Sequence, residues 1–153
     1  MNPRSFLLSG LIAGAVIGLL GNLPVVNFVN CLLCLWVWIG GLLAVYVYGR
    51  FQKGQAGLSP VQGAGLGALA GLIGALIGAV VFLAASPLSI PLFNNLALLL
   101  QIEGDLPLGA GGFGEIVVTT LIFLVINLVL YPIFGALGGL IGSAVFKAQP
   151  ATP

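Results

Sequence analysis

The sequence predicts an all-α integral membrane protein in which four transmembrane helices form two hairpins in one bundle. Two observations lead to this fold class. The chain of 153 residues is 60% hydrophobic and only 5% charged, so it lacks the polar surface that a soluble domain of this size needs. Its apolar residues fall into four long runs that no charged residue interrupts. We therefore treat residues 1–153 as a single membrane domain.

The first predicted hairpin has spans at residues 5–20 and 29–48. The first span is short for a hydrocarbon core about 30 Å thick, which needs about 20 helical residues. The second span ends in Tyr46, Tyr48 and Arg50, a group of aromatic and basic side chains typical of the cytoplasmic headgroup region.

The second predicted hairpin has spans at residues 61–85 and 115–146. Because proline lacks the N–H that a continuing helix requires, we expect Pro87 and Pro91 to stop the third span. Residues 92–102 then form a short interfacial helix inside the connector 86–114. The fourth run is too long for one straight crossing, so we expect a break near Pro132. Similar glycine patterns in residues 5–48 and 61–146 suggest that the two hairpins are a repeat.

The distribution of charge predicts how the chain is threaded. With four spans, every lysine and arginine lies in a tail or in the middle connector, which share one side of the membrane. Basic residues favour the cytoplasmic side, so we expect a multi-pass protein of the bacterial cytoplasmic (inner) membrane with both termini in the cytoplasm. The basic residues are Arg4, Arg50, Lys53 and Lys147, and the acidic ones are Glu103, Asp105 and Glu115.

Glycine accounts for 24 of the 153 residues and repeats at every fourth position in three of the runs. Residues four apart share one face of a helix, and small residues there let another backbone approach closely. We therefore predict a glycine zipper type of helix packing. The predicted packing residues are Gly10, Gly14, Gly18, Gly63, Gly67, Gly71, Gly74, Gly78, Gly135, Gly139 and Ser143.

The composition disfavours several classes of function and favours one that depends on helix contacts within the membrane. The net charge of +1 disfavours nucleic-acid binding, and the absence of histidine removes the commonest general base and metal ligand. No charged residue lies in the interior of a span, which disfavours ion-coupled transport. We expect a non-enzymatic accessory, scaffold or assembly subunit without cofactor or metal, whose partner in the bilayer is another membrane protein or a second copy. The alternative is a passive pore or a transporter of small solutes or lipids.

Cys31 and Cys34 form a C-x-x-C pair at the outer start of the second span. Such a pair could cycle between dithiol and disulfide, which makes a membrane thiol redox protein the second alternative. The outline resembles that of four-helix membrane thiol oxidases of the disulfide-bond-forming and vitamin K epoxide reductase kind. Those enzymes use a second cysteine pair, which this chain does not have, and two thiols packed among apolar side chains are the simpler interpretation.

Asn127 is a polar residue in the middle of the fourth span. A polar side chain at this depth commonly forms a hydrogen bond with a neighbouring helix, so we predict an intramembrane polar contact there. A ligand or ion site is the alternative.

Residues 23–48, with the sequence LPVVNFVNCLLCLWVWIGGLLAVYVY, resemble a segment of small glycine-rich bacterial multi-pass inner-membrane proteins of unassigned function. The resemblance covers about a sixth of the chain and implies a bacterial inner-membrane protein. It implies no activity and no site.

Overall fold

Four α-helices make up the parts of the chain that the structure describes, and those parts contain no β-strand. The computed structural model describes residues 2–21, 35–52, 57–99 and 112–146. In chain order, the helices are α1 (Pro3–Leu20), α2 (Leu35–Phe51), α3 (Pro60–Leu99) and α4 (Phe113–Val145). Helices α1, α3 and α4 each contain a stretch long and apolar enough to cross a membrane, and α2 is an apolar helix of 17 residues. The predicted all-α class is therefore confirmed for the described residues, and three of the helices are long and apolar enough to span a membrane.

Local capping explains where α1 and α3 begin. The Asn2 side chain accepts a hydrogen bond from the backbone N–H of Arg4 at 3.2 Å, and Pro3 occupies the first helical turn, where no donor is needed. At α3, the backbone N–H of Ser59 donates to Gln62 Oε1 at 3.1 Å, and the Gln62 N–H donates to Ser59 Oγ at 3.3 Å. This reciprocal pair is a capping box, and it sets the start of α3 within one residue of the predicted span.

The sequence prediction for the end of α3 was wrong. Residues 60–99 form one helix of 40 residues that continues through Pro87 and Pro91, where two separate helices were expected. Pro87 removes the N–H that would donate to the carbonyl of Leu83. The Ser86 hydroxyl donates to that same carbonyl at 2.9 Å, so the acceptor keeps a partner and the helix can pass the proline. Residues 100–102 of the expected interfacial helix lie outside the described ranges.

Helices α2 and α4 differ from the predicted spans in their limits. The description of α2 begins at Leu35, and positions 29–34 of the predicted span lie outside the described ranges. Helix α4 begins at Phe113 after Gly112, whose φ of +85° is readily adopted only by glycine. It is one helix on both sides of Pro132, where the sequence predicts a break.

The helices run alternately up and down, so the bundle has two distinct ends. The rings of Phe6 and Tyr48 are 6.2 Å apart, and those of Tyr46 and Phe146 are 5.5 Å apart. These contacts bring the start of α1 and the ends of α2 and α4 together, at the end that also holds Arg4 and Arg50, which we call the basic end. Glu115, in the first turn of α4, lies at the opposite end.

Helix α3 is central to the packing. Its most extensive contacts are with α4 and then with α1, while α2 packs mainly on α4. The order around the bundle is therefore α1, α3, α4, α2. The buried core consists mainly of small and medium aliphatic side chains, together with two tyrosines: Ala13, Ile17, Val37, Ala44, Val45, Tyr48, Leu66, Ala70, Ala75 and Tyr131.

Candidate functional site: glycine contacts and a cavity between α3 and α4

The half of the α3–α4 interface nearest the basic end is formed by glycine. A Cβ added at Gly67 would lie 2.8 Å from the carbonyl carbon of Gly135 and 3.0 Å from the Cα of Gly139. A Cβ added at Gly63 would lie 2.7 Å from the Cβ of Ser143. These distances leave no room for a side chain, so the two backbones are in direct contact. We call this set of residues the α3–α4 glycine seam: Gly63, Gly67, Gly71, Tyr131, Gly135, Gly139 and Ser143.

The glycine stripe of α1 also packs against α3. A Cβ at Gly14 would lie 2.7 Å from the Cβ of Ile73 and 2.8 Å from the carbonyl oxygen of Ala70. A Cβ at Gly18 would lie 2.8 Å from the Cβ of Ile77, and Gly10 lies under the side chain of Leu69. Each glycine in this stripe thus accommodates a branched side chain of the neighbouring helix of the same chain.

Ile17 joins three helices at one point. This α1 side chain is 1% exposed and fits against Gly40 of α2 and Gly74 of α3. A Cβ at Gly74 would lie 2.9 Å from Ile17 Cγ2, and a Cβ at Gly40 would overlap the side chain. Gly74 was predicted as a packing residue from its spacing, whereas Ile17 could not be distinguished from the other apolar residues of α1.

A second set of backbone contacts joins α2 to α4. Gly41 lies against the backbone of Gly135 and Gly139, and Gly138 lies against the backbone of Trp38. The Trp38 ring packs on Phe134 with centroids 6.2 Å apart. Gly41 and Gly138 were not among the predicted packing residues, although the Gly-Gly pairs at 40–41 and 138–139 were a visible signal.

Beyond the glycine seam, α3 and α4 separate and leave a cavity of about 150 Å³. The seam closes one side of it, at Tyr131. On the side toward the Glu115 end, the rings of Phe82 and Phe123 approach to 6.2 Å. Its lining consists of Gly21, Ala75, Gly78, Ala79, Phe82, Thr120, Phe123, Leu124, Asn127 and Tyr131.

Three polar side chains, Thr120, Asn127 and Tyr131, belong to this lining, and the first two differ in their hydrogen bonding. The Thr120 hydroxyl donates to the carbonyl of Ile116 in its own helix at 2.7 Å. Asn127 is half-buried, and its amide forms no hydrogen bond with any residue in the described ranges. Asn127 thus lines the cavity, and the hydrogen bond predicted between it and a neighbouring helix stays a prediction.

The other predicted residues are placed as follows. Gly78 lines the cavity. Cys31 and Cys34 lie outside the described ranges. Among residues 2–21, 35–52, 57–99 and 112–146, no three potential metal ligands of the His, Cys, Asp or Glu type lie together.

No protein-family model, curated protein or solved structure matches this chain.

Proposed function

We propose that this chain is a multi-pass protein of the bacterial cytoplasmic membrane that catalyses no reaction and serves as an accessory or assembly subunit. Its partner would be another membrane protein or a second copy. Four spans would form two hairpins, with both termini in the cytoplasm. The grouping of Arg4 and Arg50 at one end of the bundle, opposite Glu115, supports this orientation because basic residues favour the cytoplasmic side.

The glycine contacts support a function for the bundle as a rigid body. The stripes of α1 and α3 contact other helices of the same chain, so they are not available to a partner. Backbone contacts of this kind leave few side chains that can change rotamer, and the relative positions of the helices are therefore well defined. A partner must bind a face that the bundle leaves exposed.

The exposure of α4 carries the proposal. Only 11% of its most apolar window is buried within the chain, compared with 33% in α1 and 28% in α3. Its outward side chains are large and apolar along most of its length, which matches both lipid and a membrane-protein partner. They are Val118, Leu121, Ile122, Val125, Ile126, Val129 and Ile133. We assign the partner contact to this face.

Site-specific photo-crosslinking in intact membranes tests this assignment. A photoreactive residue at Val125, which is 65% exposed, should give a protein adduct of defined mass. The same residue at Leu11 of α1, which is 51% exposed, is the matched control and should give lipid adducts only. The proposal would be contradicted if both positions gave protein adducts or if both gave lipid adducts only. Native mass spectrometry of the adduct then distinguishes a second copy from a different subunit.

A further inference from the structure

The cavity between α3 and α4 is lined by apolar side chains and by the polar side chains of Thr120, Asn127 and Tyr131. Its volume of about 150 Å³ compares with cavities that hold one benzene ring, and Phe82 and Phe123 supply aromatic faces at one end. Ala75 and Ala79 are small residues whose substitution by larger apolar ones would fill the space. The cavity thus has the size and lining of a site for a single ring.

Asn127 determines which rings would be favoured. An amide carries two N–H donors and one carbonyl acceptor, and none of these forms a hydrogen bond within the described ranges. A polar group within an apolar environment is costly unless it has a hydrogen-bond partner. A hydroxyl group can both donate to the Asn127 carbonyl and accept from its N–H, whereas a carbonyl group can only accept.

The charge distribution of the bundle selects for a neutral ligand. The described part of the cavity lining contains no charged side chain, and the described charged residues, Arg4, Arg50 and Glu115, lie toward the ends of the helices. Asn127, in contrast, lies near the middle of α4. An ion in the cavity would lose its hydration without gaining a counter-charge there.

We propose that this cavity binds a neutral single-ring ligand bearing one hydroxyl group, of the phenol class, which reaches it from the lipid phase. The ring occupies the space between Phe82 and Ala79, and the hydroxyl pairs with the Asn127 amide. This site is separate from the outward face of α4, so the proposal does not depend on the subunit function.

The test compares 4-fluorophenol with fluorobenzene, which differs only in lacking the hydroxyl. Binding of each to the full chain in lipid nanodiscs is measured by ¹⁹F NMR, with empty nanodiscs of the same lipid as the reference for partitioning. One additional hydrogen bond predicts that 4-fluorophenol binds about fivefold more tightly than fluorobenzene. Fluorobenzene binding equally well would overturn the proposal, because it would identify an apolar void that accepts any ring or acyl chain.

Three variants make the test specific. Asn127→Leu should abolish the preference for the phenol while fluorobenzene still binds. Ala79→Leu should abolish binding of both probes by filling the cavity. Val80→Leu is the control, because Val80 is the next residue in α3 but is 68% exposed and absent from the lining, and it should bind both probes as the parent does.

Each result decides for or against the site. A phenol preference that persists in Asn127→Leu would overturn the assignment of the amide, and binding that persists in a folded Ala79→Leu would overturn the cavity. Thermal melting in the nanodisc checks folding. If Ala79→Leu does not fold, the Asn127→Leu comparison alone decides.

Discussion

Substituting Gly67 and Gly65 with alanine provides the most direct test of the packing described above. Both glycines lie in α3, two residues apart, and alanine raises the intrinsic helix propensity equally at both. A Cβ at Gly67 would lie 2.8 Å from the carbonyl carbon of Gly135, whereas a Cβ at Gly65 would meet nothing within 4 Å. The pair therefore separates the effect of packing from that of propensity.

The magnitude follows from the contact distances. Carbon atoms in favourable contact are about 3.5–4.0 Å apart, so α4 would have to move by about 0.7 Å or more to accept the new methyl group at Gly67. Overpacking of this kind costs about 1–3 kcal/mol, and the shift weakens the neighbouring backbone contacts at Gly63 and Gly71 as well. Gly65→Ala should be neutral or stabilise the protein by about 0.5–1 kcal/mol, since it gains only helix propensity.

Because the gain in helix propensity is the same in both variants, we expect the free energies of unfolding of Gly67→Ala and Gly65→Ala to differ by the overpacking cost of about 1–3 kcal/mol, with Gly67→Ala the less stable. The measurement is unfolding of the purified protein by increasing mole fractions of sodium dodecyl sulfate in mild detergent, followed by circular dichroism. Equal stabilities for the two variants would refute the glycine seam, because the helices would then have room to accommodate a methyl group at both positions.

Three further predictions concern α3, the threading and the cysteines. Ser86→Ala should lower the free energy of unfolding by about 1 kcal/mol, because it removes the hydrogen bond to the Leu83 carbonyl. In a Pro87→Ala background the same substitution should cost less, because the backbone N–H of residue 87 can then donate to that carbonyl. Equal losses in the two backgrounds would show that the Ser86 hydroxyl does not compensate for the proline. In a cysteine-free chain, single cysteines at positions 50 and 115 should react with membrane-impermeant maleimide from opposite sides of the membrane, and labelling from one side would disprove the threading. If the thiols only pack, Cys31 and Cys34 should give the same alkylation pattern before and after treatment with reductant, whereas an oxidised fraction would favour the redox alternative.

The parts of the fold that sequence predicted well depend on local signals. Apolar run length and capping residues set the starts of α1 and α3, where Asn2 and Ser59 act within one turn of the chain. The end of α3 was predicted incorrectly because the effect of Pro87 was judged from the proline alone. Its consequence depends on the adjacent Ser86 hydroxyl, whose hydrogen-bonding partner cannot be known from sequence.

The candidate site was only partly predictable for a related reason. The spacing of Gly67 and Gly71 identifies a face suited to close packing but does not identify the helix that occupies it. The cavity arises because the α3–α4 glycine seam ends at Gly71 and the Phe82–Phe123 pair holds the helices together further on. These are distances between two helices, and no pattern within one run contains them. Asn127 could be recognised as unusual, but its role could not be assigned.

The separation of Arg4 and Arg50 from Glu115 along the bundle has an electrical consequence in an energised membrane. With a membrane potential of about 100 mV, negative inside, the energy of one elementary charge differs by about 2.3 kcal/mol between the two sides of the membrane. Three such charges, with the guanidinium groups inside and the carboxylate outside, together favour that orientation over the inverted one by about 7 kcal/mol. The membrane potential that respiration maintains would therefore help to keep the polypeptide inserted in one direction. An ionophore that dissipates this potential would remove that bias.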